Sequence, residues 1–334
     1  MTMVSIGDLA RSMMLQRHTA ATKADVSRLA EALASGRHQD QAARSGGDLS
    51  PLAAIESTLA RIGSWTSAAG SLAGKLGAAQ SALGALHGIG EAQAESLLRL
   101  NSISRDDQVA LASRDAREHL EAALGVLNTR YAGASVFAGT REDAPAVASA
   151  EVLLDALWPA VSTATTAAEA REAILTWFDD PAGFAAQGYL GGPTQPPIAV
   201  AQGETAAIGF AADDLAIRRT LAGLAMAAVI DRGLFPGMAA ERRELGQMAG
   251  EVLAANAEAR VTLAARVGSL EQRLDNVRAH HAAESTALGI ARSGLIAADP
   301  YATATELESA RVQLETLFAV TARLSGMNLL GYLR

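Results

Sequence analysis

The chain of 334 residues contains no cysteine. That excludes a disulfide framework, a thiol nucleophile, iron–sulfur clusters and cysteine-based zinc sites together. Aromatic residues are scarce at 4%, so a large sheet-based core is disfavoured. Concentrated positive charge is missing too: 28 Lys and Arg stand against 36 Asp and Glu, a net charge of −8. A general nucleic-acid surface needs a basic footprint that this balance does not supply. No block of five or more like charges occurs, which excludes charged tails. Long apolar runs are lacking as well. One long uncharged stretch, Ala182 to Gly203, holds three Pro and five Gly and could not cross a bilayer as a helix. Near the start, Asp8, Arg11, Arg17 and Lys23 interrupt any apolar core, so neither a secretory signal peptide nor a membrane anchor is expected.

What the chain has is alanine, at 75 positions, nearly half of its 49% hydrophobic fraction. Alanine is the strongest helix former and lets helices approach closely. The prolines then divide the chain: seven of nine lie between Pro145 and Pro236, and nine of thirteen aromatics fall between Tyr131 and Phe235. Proline breaks helix interiors and aromatics enlarge compact cores. The expected fold is mainly α: a long antiparallel helical, coiled-coil-like bundle built from both termini, with a small α+β domain inserted in the middle. The boundaries read as terminal helices at 1–46 and 293–334, a helical shaft at 47–140 and 238–292, and the insert at 141–237.

The flanks carry the bundle signal. Val26, Leu29 and Leu33 share a helix face before Ser35-Gly36, a helix stop. From Leu52, the series Ile55, Leu59, Ile62, Trp65, Ala69, Leu72, Leu76, Ala79, Leu83 and Leu86 advances by threes and fours, a narrow coiled-coil stripe. Ser104 to Asp107 marks a turn, after which Val109, Ala112, Ala116, Leu120 and Leu127 resume it. Toward the other end, a stripe from Leu245 runs through Val277 to Leu288 and Ala291, until Asp299-Pro300 interrupts it. Beyond it, Leu314, Leu317, Leu324, Leu330 and Leu333 form a stripe with almost no core assigned to it. Together with Leu29 and Leu33, these leucines are the candidate assembly interface, buried only against other helices or other subunits. The chain ends are accordingly expected to be mobile in an isolated monomer.

In the middle, Ala150–Trp158 and Ala167–Phe178 read as short helices. Ile198–Val200 and Ala206–Phe210 read as a hairpin, and Asp213-Asp214 as the start of a helix reaching Asp231. Catalytic patterns fail. His280 and Glu284 are four apart and could share a metal, but no third ligand stands nearby, and a solvated helix face is the better reading. Gly88-Ile89-Gly90 lacks the third glycine and preceding strand of a dinucleotide fingerprint. The acid pairs Asp106-Asp107 and Asp213-Asp214 sit where helix starts want caps. No catalytic residue, cofactor or metal is assigned.

Several segments resemble the bacterial flagellin family. Leu33-Ala34-Ser35-Gly36-Arg37 looks like the family's segment after its first helix. Leu127-Asn128-Thr129-Arg130-Tyr131-Ala132-Gly133-Ala134-Ser135-Val136-Phe137-Ala138-Gly139-Thr140 resembles its handover from the N-terminal helices to the middle domain, and is the most specific match. Asp299 to Leu307 and Asn328 to Arg334 are similar to its terminal helix. The likeness covers residues 1–140 and 238–334; Gly46-Gly47-Asp48-Leu49-Ser50-Pro51 departs from the paired acids and Pro usual there. The short insert and the wording of Val136–Thr140 are nearer to the hook–filament junction proteins than to major flagellins. The resemblance implies a non-enzymatic building block, exported by the flagellar type III system to the extracellular flagellum. It further implies a homo-oligomer docked on the first hook-associated junction protein, carrying flagellin and served in the cell by an export chaperone, without nucleic-acid or membrane partners. A flagellin filament subunit is the near alternative, and a cytoplasmic coiled-coil adaptor the alternative from another class.

Overall fold

The computed structural model describes residues 6–38, 48–101 and 103–332, with side chains for all of these except 6–9 and 324–332. The fold is mainly α, with two small antiparallel ribbons. Two compact units divide the chain: one comprises the residues up to Arg61 and from Ala283 onward, the other Ile62 to Ala282. Helices α2 (Ser50–Leu98) and α9 (Ala257–Ile296) supply residues to both.

The first unit pairs α1 (Ile6–Ser35) with α10 (Pro300–Tyr332). Helix α1 stops at Gly36, whose φ of +67° is the left-handed conformation glycine tolerates at a helix end. Helix α10 opens on Pro300, where a missing N–H leaves no bond unmade. The Asp299 carboxylate caps it, accepting from the amides of Tyr301 at 2.9 Å and Ala302 at 3.2 Å. The amide of His38 donates to Ile296 O, and that of Ala298 to Gly36 O, each at 3.0 Å. These bonds bring the end of α1 to the entrance of α10, so the two helices run antiparallel.

The second unit is organised around one buried helix. After α3 (Asp106–Leu127) come a short ribbon, β1 (Arg130–Tyr131) with β2 (Ala134–Ser135), and the helices α4 (Ala150–Val161), α5 (Ala167–Asp179) and α6 (Phe184–Gln187). Strands β3 (Ile198–Ala201) and β4 (Glu204–Ala206) form a hairpin turning at Gly203 with φ +73°, its second strand ending at Ala206 rather than running over the expected 206–210. Helix α7 (Leu215–Asp231) starts on Asp214, whose carboxylate accepts from the Ala216 amide at 3.0 Å. From Leu221 to Ile230 every residue of α7 is buried, so this helix is apolar all round and must be covered on every side. It packs against α3, α5 and α8 (Ala239–Ala255). Gly223 permits the α8 approach: a Cβ there would lie 2.6 Å from Leu253 Cγ.

One core therefore runs through Leu76, Leu120, Phe137, Leu157, Ile174, Leu224, Leu253 and Leu274 without a break. The segment 141–237, read from sequence as a separate insert, shares this core with α2, α3, α8 and α9. The stripe from Leu245 to Val277 is also not one helix. It breaks at Asn256, whose side-chain amide is buried and donates to Ala216 O at 2.7 Å and Thr220 Oγ1 at 2.9 Å.

Candidate assembly surface

In the first unit the α1–α10 seam follows the expected spacing. Thr22, Leu29 and Ala32 are buried on α1, with Leu15, Thr19 and Val26 half-buried along the same face. Opposite them, Thr303 and Leu307 are buried on α10, followed by half-buried Ala310, Leu314 and Leu317. The steps of four and three make a heptad seam, yet three threonines and two alanines occupy it, so the apolar area it removes from water is small.

Among the assembly residues read from sequence, Leu29 lies in this seam at 5% exposure, while Leu33, one turn on, is 39% exposed. Leu314 and Leu317 are half-buried on the seam side of α10. Leu324 and Leu330 belong to α10, with side chains outside the described set, and Leu333 lies outside the described residues.

Sequence periodicity missed a second set. Met13 and Met14 on α1, and Val312, Phe318 and Val320 on α10, are large apolar side chains between 41% and 60% exposed. Val312 lies nearly opposite the direction set by Leu314 and Leu317 and Val320 about a quarter turn from it, since each residue advances about 100° around a helix, while Phe318, one turn after Leu314, flanks the seam. Apolar residues thus occupy more sides of α10 than one partner helix can cover. A test for apolar residues outside the main stripe would have found them. Among the described residues of this unit, Arg292 pairs with Glu56 at 3.0 Å with both side chains partly exposed, worth under about 1 kcal/mol.

The handover segment in the second unit is built differently. Asn128 clasps Val147 with both ends of its side-chain amide, donating from Nδ2 to Val147 O and accepting from Val147 N, each at 3.0 Å. Val136, Phe137 and Ala138 are buried, and the Phe137 ring lies 5.7 Å from that of Phe210. The Arg130 guanidinium binds the carbonyls of Gly133, Glu142 and Asp143. Gly139, at φ +57°, lies so near the 192–193 backbone that a Cβ would fall 2.3 Å from Pro193 O. Lys75 reaches Glu142 at 2.5 Å, and Gln195 donates to the same carboxylate oxygen. The Lys75 ammonium holds the Glu142 carboxyl below its ordinary value of 4.5, against an opposing effect of burial. Asn128 and Arg130 tie the loop backbone together, and Lys75 ties it to α2.

No group of three or more potential metal ligands exists among the described residues. His281, beside the His280 weighed from sequence, is buried: its Nε2 lies 2.7 Å from Val200 O and its ring stacks on Trp65 with centroids 5.8 Å apart. It fastens the β3–β4 hairpin to α9. Arg260 is 4% exposed and donates from Nη1 to Leu253 O at 3.0 Å, closing the end of α8. Its guanidinium lies over Gly90, where a Cβ would be 2.9 Å from Cζ. Neither residue stood out in the sequence, because nothing local marks a histidine or arginine for burial.

No family model and no curated protein matches the chain. Among solved structures it is similar to a protein from Vibrio parahaemolyticus provisionally described as flagellar hook-associated, at 14% identity and a TM-score of 0.49, covering 73% of this chain and 95% of that one. At that identity and score the likeness identifies neither a family nor an activity.

Proposed function

We propose that the chain is a structural subunit of the bacterial flagellum, a hook-associated protein at the junction of hook and filament that assembles with copies of itself and presents a platform to flagellin. The observation that carries this reading is the α1–α10 pair, whose apolar residues outnumber the sides the pair can cover. A stable monomer gains nothing from Met13, Met14, Val312, Phe318 and Val320 in water. An assembly in which neighbouring copies surround both helices buries them. The wording of residues 33–37, 127–140 and 299–307 supports the flagellar setting, and the buried handover segment supports a second unit with a rigid core of its own.

The reading assigns roles to particular side chains. Leu29, Leu314 and Leu317 hold α1 to α10, and Leu33 and the outward apolar residues meet neighbouring subunits. No catalytic step is assigned. Partners are further copies, the first junction protein on one side and flagellin on the other, with a chaperone before export through the flagellar type III channel.

Mass spectrometry of sheared flagella tests the setting and antibody labelling tests the place. A narrow labelled band at the distal end of the hook is the expected result. Labelling along the whole filament makes the chain a flagellin instead. Absence from sheared flagella, with a soluble pool inside the cell, makes it a cytoplasmic helical adaptor and overturns the proposal.

A further inference from the structure

We propose that the groove between α4 and α5 is a docking site for a cationic amphipathic helix of another protein. The proposal stands apart from the flagellar reading and rests on different residues. Charge is distributed very unevenly: residues 141–237 hold twelve Asp and Glu against five Arg, a net −7, while the other 237 residues together carry −1. Three of those five arginines are already committed, Arg218 and Arg219 to Asp179 and Arg232 to Asp155. Glu142, Glu204, Asp214 and Asp231 pair with cations outside the segment, whereas Glu169, Glu172 and Asp180 have no ion pair among the described residues, and one apolar depression lies among these three.

The groove has a volume of about 520 Å³, the size of a site that takes one or two large side chains. Its floor is Ala160 on α4 with Ala173 and Trp177 on α5, and its rim is Glu169, Glu172 and Asp180 along α5. Trp177 packs edge-on against Phe178 at 5.1 Å and Phe184 at 6.4 Å, so the floor is formed before anything binds, which lowers the ordering cost of binding. Two rim carboxylates are likewise fixed. Glu169 accepts from the amides of Thr165 at 2.8 Å and Thr166 at 3.3 Å, which hold its carboxyl below the usual range, and Asp180 accepts from Ala182 N at 2.8 Å.

Asp180 ends α5, where the helix dipole disfavours a carboxylate. Its neighbour Asp179 is offset by two arginines, whereas Asp180 has no ion pair among the described residues. An apolar floor under an uncompensated acidic rim fits a ligand that carries an apolar anchor between positive charges. From Glu169 to Asp180 the rim spans about 16 Å along the helix, roughly three turns. A Lys- or Arg-bearing helix lying along α5 can place one apolar side chain over Trp177 and cations against all three carboxylates. Electrostatic complementarity of this kind sets specificity and register.

The test uses the full chain and two synthetic amphipathic helices of equal length, one of leucine and lysine, the other of leucine and glutamate. Binding is followed by fluorescence anisotropy and located by hydrogen exchange. The leucine–lysine peptide is expected to bind saturably and to protect α4 and α5, and the leucine–glutamate peptide not to bind. Glu172→Arg should weaken binding about tenfold or more, as expected for loss of a close interfacial charge pair. Ala173→Phe, which fills the groove at constant charge, should abolish binding. Glu151→Arg makes the same charge change at an exposed α4 position outside the rim and should leave affinity within about twofold. Circular dichroism checks that all three variants fold. Equal weakening by Glu151→Arg and Glu172→Arg would reduce the effect to net charge and overturn the proposal. So would protection confined to α1 and α10, equal binding of the two peptides, or a dimer of the unliganded chain that Glu172→Arg dissolves, which would make a second copy the occupant.

Discussion

The two units use the same composition to opposite ends. In the second, an all-round apolar helix, α7, is enclosed by α3, α5 and α8, and even the loops around residues 128–148 are pinned by Asn128, Arg130 and Lys75. In the first, two long helices share a seam of Leu29, Ala32, Thr303 and Leu307 and leave Met13, Met14, Val312 and Phe318 in water. Helix propensity is ample in both. What differs is how many sides of each helix find a partner within the chain, and stability follows that number rather than propensity. A unit that is helical yet thinly packed is poised to finish its core with another molecule.

The largest effect expected from this contrast comes from paired core truncations. Phe137→Ala should cost about 3–5 kcal/mol and lower the main melting transition, because it empties a fully buried site. Leu29→Ala, in the thin seam, should leave that transition in place and instead speed hydrogen exchange and proteolysis in α1 and α10 alone. If Leu29→Ala lowers the main transition as far as Phe137→Ala, the two units melt as one and the contrast fails.

Next in size, Gly139→Ala should cost about 1–3 kcal/mol, since the new methyl meets the fixed backbone of residues 192–193 at a positive φ. An equal change at Gly63, where a Cβ meets nothing within 4 Å, should be neutral or stabilising by up to about 1 kcal/mol. Thermal melts of the two variants sharpen the contrast between glycines that the fold needs and one that it does not.

A smaller effect concerns acid. Lys75 depresses the Glu142 carboxyl, so this pair favours the folded state above the ordinary carboxylate value of 4.5, and the contribution is lost as pH falls through the depressed value. The Glu142 side chain is 42% exposed, which keeps the effect modest. Glu142→Gln should therefore lower stability slightly at neutral pH and flatten its fall between neutrality and strongly acidic conditions. Denaturant melts across that range check this; an unchanged pH profile would remove Glu142 from the acid response.

The smallest effect on the monomer belongs to Phe318→Asp, which should shift stability by no more than about 0.5 kcal/mol because the ring is already 54% exposed. Its consequence should appear in assembly, as cells that release flagellin into the medium and build no filaments. A variant that melts normally and still supports filaments would show that this face meets no neighbour.

Much of the fold was legible because its signals act within one or two turns. Gly36, Asp299-Pro300 and Asp214 each set a helix end through a backbone conformation or a cap reaching two or three residues away. The hairpin at 198–206 was announced by its flanking Gly and Pro, and the heptad spacing of the α1–α10 seam by apolar steps of three and four. Asp106-Asp107 shows the limit of such reading: the acids occupy the first turn of α3, but Arg105 stands at the cap position.

By itself, then, the sequence determined a helical protein without cysteine chemistry, the ends of most of its helices, and the face α1 would turn toward another helix, because these depend on neighbours a few residues apart. Tertiary structure alone decided the rest. It buried Leu29 and left Leu33 exposed on one stripe, broke the long stripe at Asn256 for the sake of α7, joined the middle segment to the shaft through one core, and enclosed His281 and Arg260. Each of those outcomes depends on a partner dozens of residues away, and whether a side chain is buried is a property of what the fold brings against it rather than of the side chain itself.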